Sequence, residues 1–188
     1  MTSLDENLDI IDQADVPVKD TAMRYGLIGA LAFIAIQLLL DTTGLIDYSS
    51  GKGLYYPSIL SAIATVAILY FGIKHHRDEE LVGYITFGRC VKLGALIGLF
   101  AGILIAVFAF VYHSFIRPDI IPSMMEFQQE QMAEQGMTED QIEQAMAMAE
   151  NFTTPVATAI SSVFNGVFWY TLFSLLVGGI MKKVRPVV

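Results

Sequence analysis

From Leu93 to Ile116 the chain carries no Asp, Glu, Lys or Arg, and three further runs share that property: Tyr25–Leu40, Gly53–Ile73 and Asn151–Met181. A hydrocarbon core about 30 Å thick takes about 20 apolar residues of α-helix to cross, so each run is of spanning length, the first once Thr42 to Ile46 extends it. Inside hydrocarbon no water satisfies a backbone N–H or C=O, so such a run folds as a helix, whose hydrogen bonds are internal. The period-two alternation of an outer-membrane barrel is absent. The expected fold class is all-α, an integral membrane four-helix bundle with spans at about 22–44, 54–73, 89–116 and 155–181. Its first partner is the lipid bilayer.

Composition agrees, with 54% hydrophobic and 16% charged residues and a mean hydropathy of +0.55. The net charge of −8 leaves no basic surface for nucleic acid. Residues 1–20 hold six carboxylates, one Lys and no apolar core, which excludes a secretory leader and reads as an acidic, disordered cytoplasmic tail. Lys19, Arg24, Lys74, Arg77, Arg89, Lys92, Lys182, Lys183 and Arg185 fall on one side of the spans, and Lys52 and Arg117 on the other. By the positive-inside rule both termini are then cytoplasmic. Tyr55, Tyr56, Tyr112 and Phe115 are expected at the outer interface, and Tyr25, Tyr70, Phe71, Tyr84 and Phe87 at the inner one.

Gly94, Gly98 and Gly102 recur every four residues in the third span, Ala22, Gly26 and Ala30 do so in the first, and Ser174 and Gly178 in the fourth. That spacing puts them on one helix face, where missing side chains let a second backbone come close. The plain reading is packing within the bundle. A sharper one is a homo-oligomer face or a pore or small-solute carrier lined by the third span's glycines.

No Asp, Glu, Lys, Arg or His lies at mid-membrane depth, where a proton relay or coupling-ion site would need one. Gln37, Thr65, Ser161, Ser162 and Asn165 are the deepest polar groups and are expected to hydrogen-bond between helices. Arg89 and Lys92 are placed to snorkel to the headgroups, and His75 and His76 to be solvated beside the membrane. Cys90 has no second cysteine to pair with and reads as a small buried residue.

The segment Ser123–Phe152, between the last two spans, carries seven carboxylates, no Lys or Arg, and six of the chain's nine methionines. Ser123-x-x-Glu126 and Thr138-x-x-Gln141 match the capping box, and Gly136 between them suits a helix end that needs positive φ. An extracytoplasmic helical hairpin over 123–151 follows, with Glu126, Glu130 and Glu134 on a watered face. Met124, Met125, Met132, Ile142 and Met146 form its candidate interaction surface, suited to a membrane or periplasmic protein partner. Thioethers also suit Cu(I), which makes extracytoplasmic metal sensing a further alternative. Met146 and Met148 point to different faces, however, and the segment has no His or Cys, so neither a metal nor a cofactor is assigned.

No nucleophile–base set, phosphate-binding loop or metalloprotease motif is present, and His113 stands alone at the outer end of the third span. An enzyme is not expected; a small scaffold or accessory protein is.

Arg77-Asp78, then Gly83-Tyr84-Ile85-Thr86-Phe87-Gly88, then Val91-Lys92-Leu93-Gly94, and the acidic insert Met137-Thr138-Glu139-Asp140-Gln141-Ile142-Glu143 resemble domain of unknown function family 4199. The likeness covers about residues 20 to 183. It implies a bacterial protein with four spans in the cytoplasmic (inner) membrane and no catalytic residues to transfer. Arg89 and Cys90 depart from the polar or acidic residue and small residue that the pattern leads one to expect.

Overall fold

The computed structural model describes residues 16–184. Six α-helices dominate it: α1 (Lys19–Thr42), α2 (Tyr55–His75), α3 (Phe87–Val111), α4 (Ile120–Glu134), α5 (Glu139–Thr153) and α6 (Pro155–Met181). A five-residue π-helical turn extends α2 (His76–Glu80) and another extends α3 (Tyr112–Ile116). Among the described residues there is no β-strand, only one antiparallel bridge between Ile85 and Lys183. α1, α2, α3 and α6, the second and third with their π turns, are long and apolar enough to cross a membrane.

Residues 1–15 of the expected acidic tail lie outside the described residues. Residues 16–20 are not a loose tail, because Val18 is buried on the core and Lys19 and Asp20 already belong to α1.

The most extensive interface joins α3 to α6, and it is built from small residues. Cys90 lies against Gly178, Gly94 against Ser174, Gly98 against Gly166 and Tyr170, and Gly102 against Val163, so the two helices run antiparallel. A Cβ on Gly98 would lie 2.5 Å from the Gly166 carbonyl oxygen, and one on Gly166 would lie 2.7 Å from that of Gly98. Here the helices meet backbone to backbone. Lipid tails are as apolar as Leu, so burying side chains drives nothing between membrane helices, whereas close dispersion contact does. The glycine row is thus occupied by α6 of the same chain, which removes the surface on which a pore lining or a face between copies would depend.

α1 joins α3 in the same way. A Cβ on Gly26 would lie 2.7 Å from Phe100 Cβ and 3.1 Å from the Ile97 carbonyl, with Ala22 and Ala30 buried in the same core. α2 packs through Ile68, Leu69 and Ile73, and Thr65 shares a hydrogen bond with the Tyr170 hydroxyl of α6. Three of the other deep polar groups, Ser162, Asn165 and Gln37, do not bond between spanning helices. Ser162 and Asn165 donate to carbonyls of their own helix, at Thr158 and Ser161, while Gln37 reaches Tyr48 in the α1–α2 loop. A short hydroxyl or amide satisfies itself on the preceding turn when its own carbonyl is nearer than a neighbouring helix.

The outward faces are apolar: Ile63, Val107, Phe164, Leu176 and Ile180 are between 62% and 84% exposed. A contiguous surface of this kind needs lipid against it. Tyr112, expected in the interfacial belt, is instead only 2% exposed and points into the bundle.

Gly98→Ala should cost about 1–3 kcal/mol, because neither backbone can move aside. Gly179→Ala, where a Cβ meets nothing within 4 Å, should not destabilise the fold. Thermal unfolding of both variants in one detergent checks this, and equal losses would contradict the seam.

Candidate functional site

The helices leave polar side chains at both ends of the bundle. At the end where α1 begins and α6 ends, Cys90, Leu93 and Ile73 close the core, and His76 of the first π turn is fully buried beside them. Arg89 Nε donates to His76 Nε2 at 2.9 Å. A guanidinium has no acceptor, so Nε2 presents its lone pair and the ring proton lies on Nδ1. Nδ1 is 2.6 Å from Glu80 Oε2, and the Thr21 hydroxyl donates to Glu80 Oε1. Arg89 Nη2 also donates to the Val16 carbonyl. One knot therefore ties together the segment before α1, α1 itself, the π turn and α3.

This corrects two expectations. His76 is not solvated; only its neighbour His75 is partly exposed, packed against the Tyr25 ring at 5.9 Å. Arg89 does not snorkel outward but turns in toward His76 and the chain before α1. The spacing of His76 and Glu80 put them on one helix face. What the sequence did not reveal was that this face turns inward, which depends on where α1 and α3 lie. Arg77 faces away, paired with Asp78 and donating to the Met181 carbonyl at 3.3 Å. The Ile85–Lys183 bridge, with bonds of 2.9 and 3.0 Å, fastens the α2–α3 turn to the chain leaving α6.

At the opposite end Asp41 closes α1. It accepts from the Tyr112 hydroxyl at 2.5 Å and from Arg117 Nη1, which is 2.7 Å from each carboxylate oxygen. The other edge of the same guanidinium grips Asp119, with Nε to Oδ1 at 2.9 Å and Nη2 to Oδ2 at 2.8 Å. Hydrogen bonds from Arg117 hold the Asp119 carboxyl below its ordinary value. The hydrogen bond to Asp119, aided by Asp41, raises Arg117. In the α1–α2 loop the hydroxyls of Ser49 and Ser50 lower Asp47 to about 2.

Asp119 is also the residue that precedes α4, and this explains a second difference. α4 begins at Ile120, so Ser123 lies inside the helix, where its N–H bonds the Asp119 carbonyl at 3.1 Å, and it caps nothing. α5 starts as expected. Gln141 N–H donates to Thr138 Oγ1 at 3.4 Å, Thr138 N–H donates to Gln141 Oε1 at 3.0 Å, and Gly136 takes φ +82°.

The five expected surface residues separate. Ile142 is buried within the hairpin, and Met132 and Met146 are half-buried. Met125 accepts a bond from the Thr153 hydroxyl at 3.5 Å. Only Met124 is exposed, joined by Met148 and Phe152, at 69% and 72%. Glu126, Glu130, Glu134, Glu139 and Glu143 all face outward. Phe127 seats its ring against Gly51, whose φ of +70° belongs to the α1–α2 loop.

A cleft of about 480 Å³ at the hairpin root is lined by His113, Pro118, Met125, Glu150 and Thr153 among others. His113 thus shares a cleft with a hairpin methionine, a proximity that the sequence did not disclose, and its buried Nδ1 has no hydrogen-bond partner among the described residues. No group of three or more His, Cys, Asp or Glu positioned to hold a metal ion occurs among the described residues.

Four packed apolar helices with polar groups collected at their two ends define a multi-pass membrane protein. The family model described as protein of unknown function (DUF4199) matches residues 24–183, and the chain belongs to that family. No curated protein and no solved structure matches it.

Arg117→Gln leaves the largely buried Asp41 carboxylate without its cation, a loss worth about 3 kcal/mol. Hydrogen exchange at the start of α4 should then accelerate. Because Asp119 is depressed in the folded chain, its contribution is complete above the ordinary value of 3.8 and lost as pH falls through the lower folded value. The same amides should therefore exchange faster, relative to the intrinsic rate, in strong acid.

Proposed function

We propose that this protein is a non-enzymatic scaffold or accessory subunit of the bacterial cytoplasmic membrane, with the acidic hairpin α4–α5 as its recognition element on the extracytoplasmic side. The observation that carries this reading is the hairpin's construction. Its carboxylates and the side chains of Met124, Met148 and Phe152 are exposed, while its root is held by Arg117 between Asp41 and Asp119. A rooted element that exposes apolar side chains among carboxylates suits a protein partner with a complementary basic rim.

The orientation rests on charge. Lys19, Arg24, Lys74, Arg77, Arg89, Lys92, Lys182 and Lys183 gather at the end where α1 begins and α6 ends, against Lys52 and Arg117 at the hairpin end. The bias toward cytoplasmic Lys and Arg then leaves both termini inside and the hairpin outside.

Two measurements test the proposal. A cysteine at the exposed Glu130 position should react with a membrane-impermeant maleimide in intact cells, and one at Lys19 should not; the opposite pattern would invert the topology. A photo-crosslinker at Met148 should capture one specific protein, and charge reversal at Glu126, Glu130 and Glu134 should abolish the adduct. Persistence of the same adduct after reversal would remove the hairpin's acidic face from recognition.

A further inference from the structure

We propose that this protein pairs with a second copy of itself through the lipid-facing side of α6, in a parallel seam that holds Asn165. α6 runs from Pro155 to Met181, and at about 1.5 Å of rise per residue Asn165 lies near the middle of the span. It adjoins Gly166, where α6 meets α3 backbone to backbone. Its own side chain is nevertheless exposed. One amide N–H donates to the Ser161 carbonyl at 3.0 Å. A carboxamide offers two N–H donors and an acceptor oxygen, so a second N–H and Oδ1 are left without a partner among the described residues. Hydrocarbon supplies no hydrogen bond, and a polar group at this depth therefore belongs against protein. Thr65, Gln37 and Ser162 conform, each at least partly buried and bonded inside the chain. Asn165 does not, which marks the face it stands on as one that another molecule covers.

The spacing of that face identifies the molecule. Ser161, Asn165, Phe168, Leu172, Leu175 and Gly179 are all exposed and follow one another at intervals of four, three, four, three and four. This is the heptad seam of two packed helices, with Asn165, Leu172 and Gly179 at a and the others at d. The residues that meet α3 from the other side of α6, among them Val163, Gly166 and Tyr170, do not belong to it. The glycine row of α3 is spent within the chain, whereas this seam is free. A single Asn at an a position fixes register and oligomer state in a pair of parallel helices. Copies of one chain cross the membrane in the same direction, so a two-fold axis along the membrane normal sets α6 parallel to its copy and Asn165 against its own counterpart. Each carboxamide then donates its remaining N–H to the other's Oδ1, and both are satisfied. A helix of another protein would need its own polar group at this depth and register; a second copy carries one by construction. Ser161 and Gly179, toward the two ends of the seam, allow close approach, and a Cβ on Gly179 would meet nothing within 4 Å in the single copy.

The test uses the full chain in lipid vesicles, with donor and acceptor fluorophores on separate copies at Lys19→Cys, an exposed position; the native Cys90 is fully buried. Energy transfer should rise with the protein-to-lipid ratio along a monomer–dimer isotherm and exceed that of randomly placed labels. Asn165→Leu should move the midpoint about tenfold toward higher protein, the scale of an interhelical hydrogen-bonded pair in lipid. Its thermal unfolding should match the parent's, since the new side chain faces lipid. Transfer no greater than random in the parent, or an unshifted isotherm in Asn165→Leu, would overturn the proposal. Should Asn165→Leu fail to fold, oxidation of two single-cysteine variants that retain Asn165 decides. Leu172→Cys, on the seam, should give a disulfide-linked dimer, and Val107→Cys, 62% exposed on α3, should not. A dimer from Val107→Cys but none from Leu172→Cys would place the contact elsewhere and refute the seam.

Discussion

The backbone-to-backbone seam between α3 and α6 is the contact on which the rest of the molecule depends. In lipid a helix gains nothing from hiding Leu against Leu, so the register of two helices is decided by where their main chains can come closest. Gly94, Gly98 and Gly102 on one side and Gly166, Ser174 and Gly178 on the other allow one antiparallel register. Once it is adopted, Cys90 must lie at Gly178, which brings the end of α6 level with the start of α3. That is why Lys183 can pair with Ile85 and why Arg77 reaches the Met181 carbonyl. α1 then has one good place, the groove where Gly26 meets Ile97, Phe100 and Ala101.

Charge is excluded from the seam and collected at the ends, because an ion in hydrocarbon is costly unless it is paired. Each end solves this with an arginine that has partners on two sides. Arg89 spans His76 and the Val16 carbonyl, and Arg117 spans Asp41 and Asp119. The guanidinium fork makes this possible, since its separate N–H edges can be occupied by different segments at once. In both cases the arginine fastens a peripheral piece of chain to the bundle: the segment leading into α1 at one end, the acidic hairpin at the other. The two ends differ in kind. Arg117 is held between two carboxylates, whereas Arg89 donates to an imidazole nitrogen and a backbone carbonyl.

Several local features were legible because their cause is local. The Thr138 capping box and the positive φ of Gly136 depend on residues within four positions of each other, and both are present as expected. Ser123 fitted the same pattern and fails it, because Arg117 fixes Asp119 and α4 starts earlier than Ser123 could dictate. Tyr112 looked like a belt residue until Asp41, far away in sequence, supplied a partner for its hydroxyl. His76 and Arg89 looked solvent-bound for the same reason. A charged or aromatic residue near a span end is read from its depth alone, and depth does not say which way it faces.

The sequence alone determined four long apolar helices, the family to which the chain belongs, and the presence of a helical insert between the last two spans. These follow from length, hydropathy and short-range pattern, which act within a single segment. Tertiary structure decided what each small-residue row packs against, which polar end groups turn inward, and how the hairpin is rooted. Those outcomes depend on the relative placement of helices distant in sequence, set by close contact between backbones, and no single segment carries the information that places its partner.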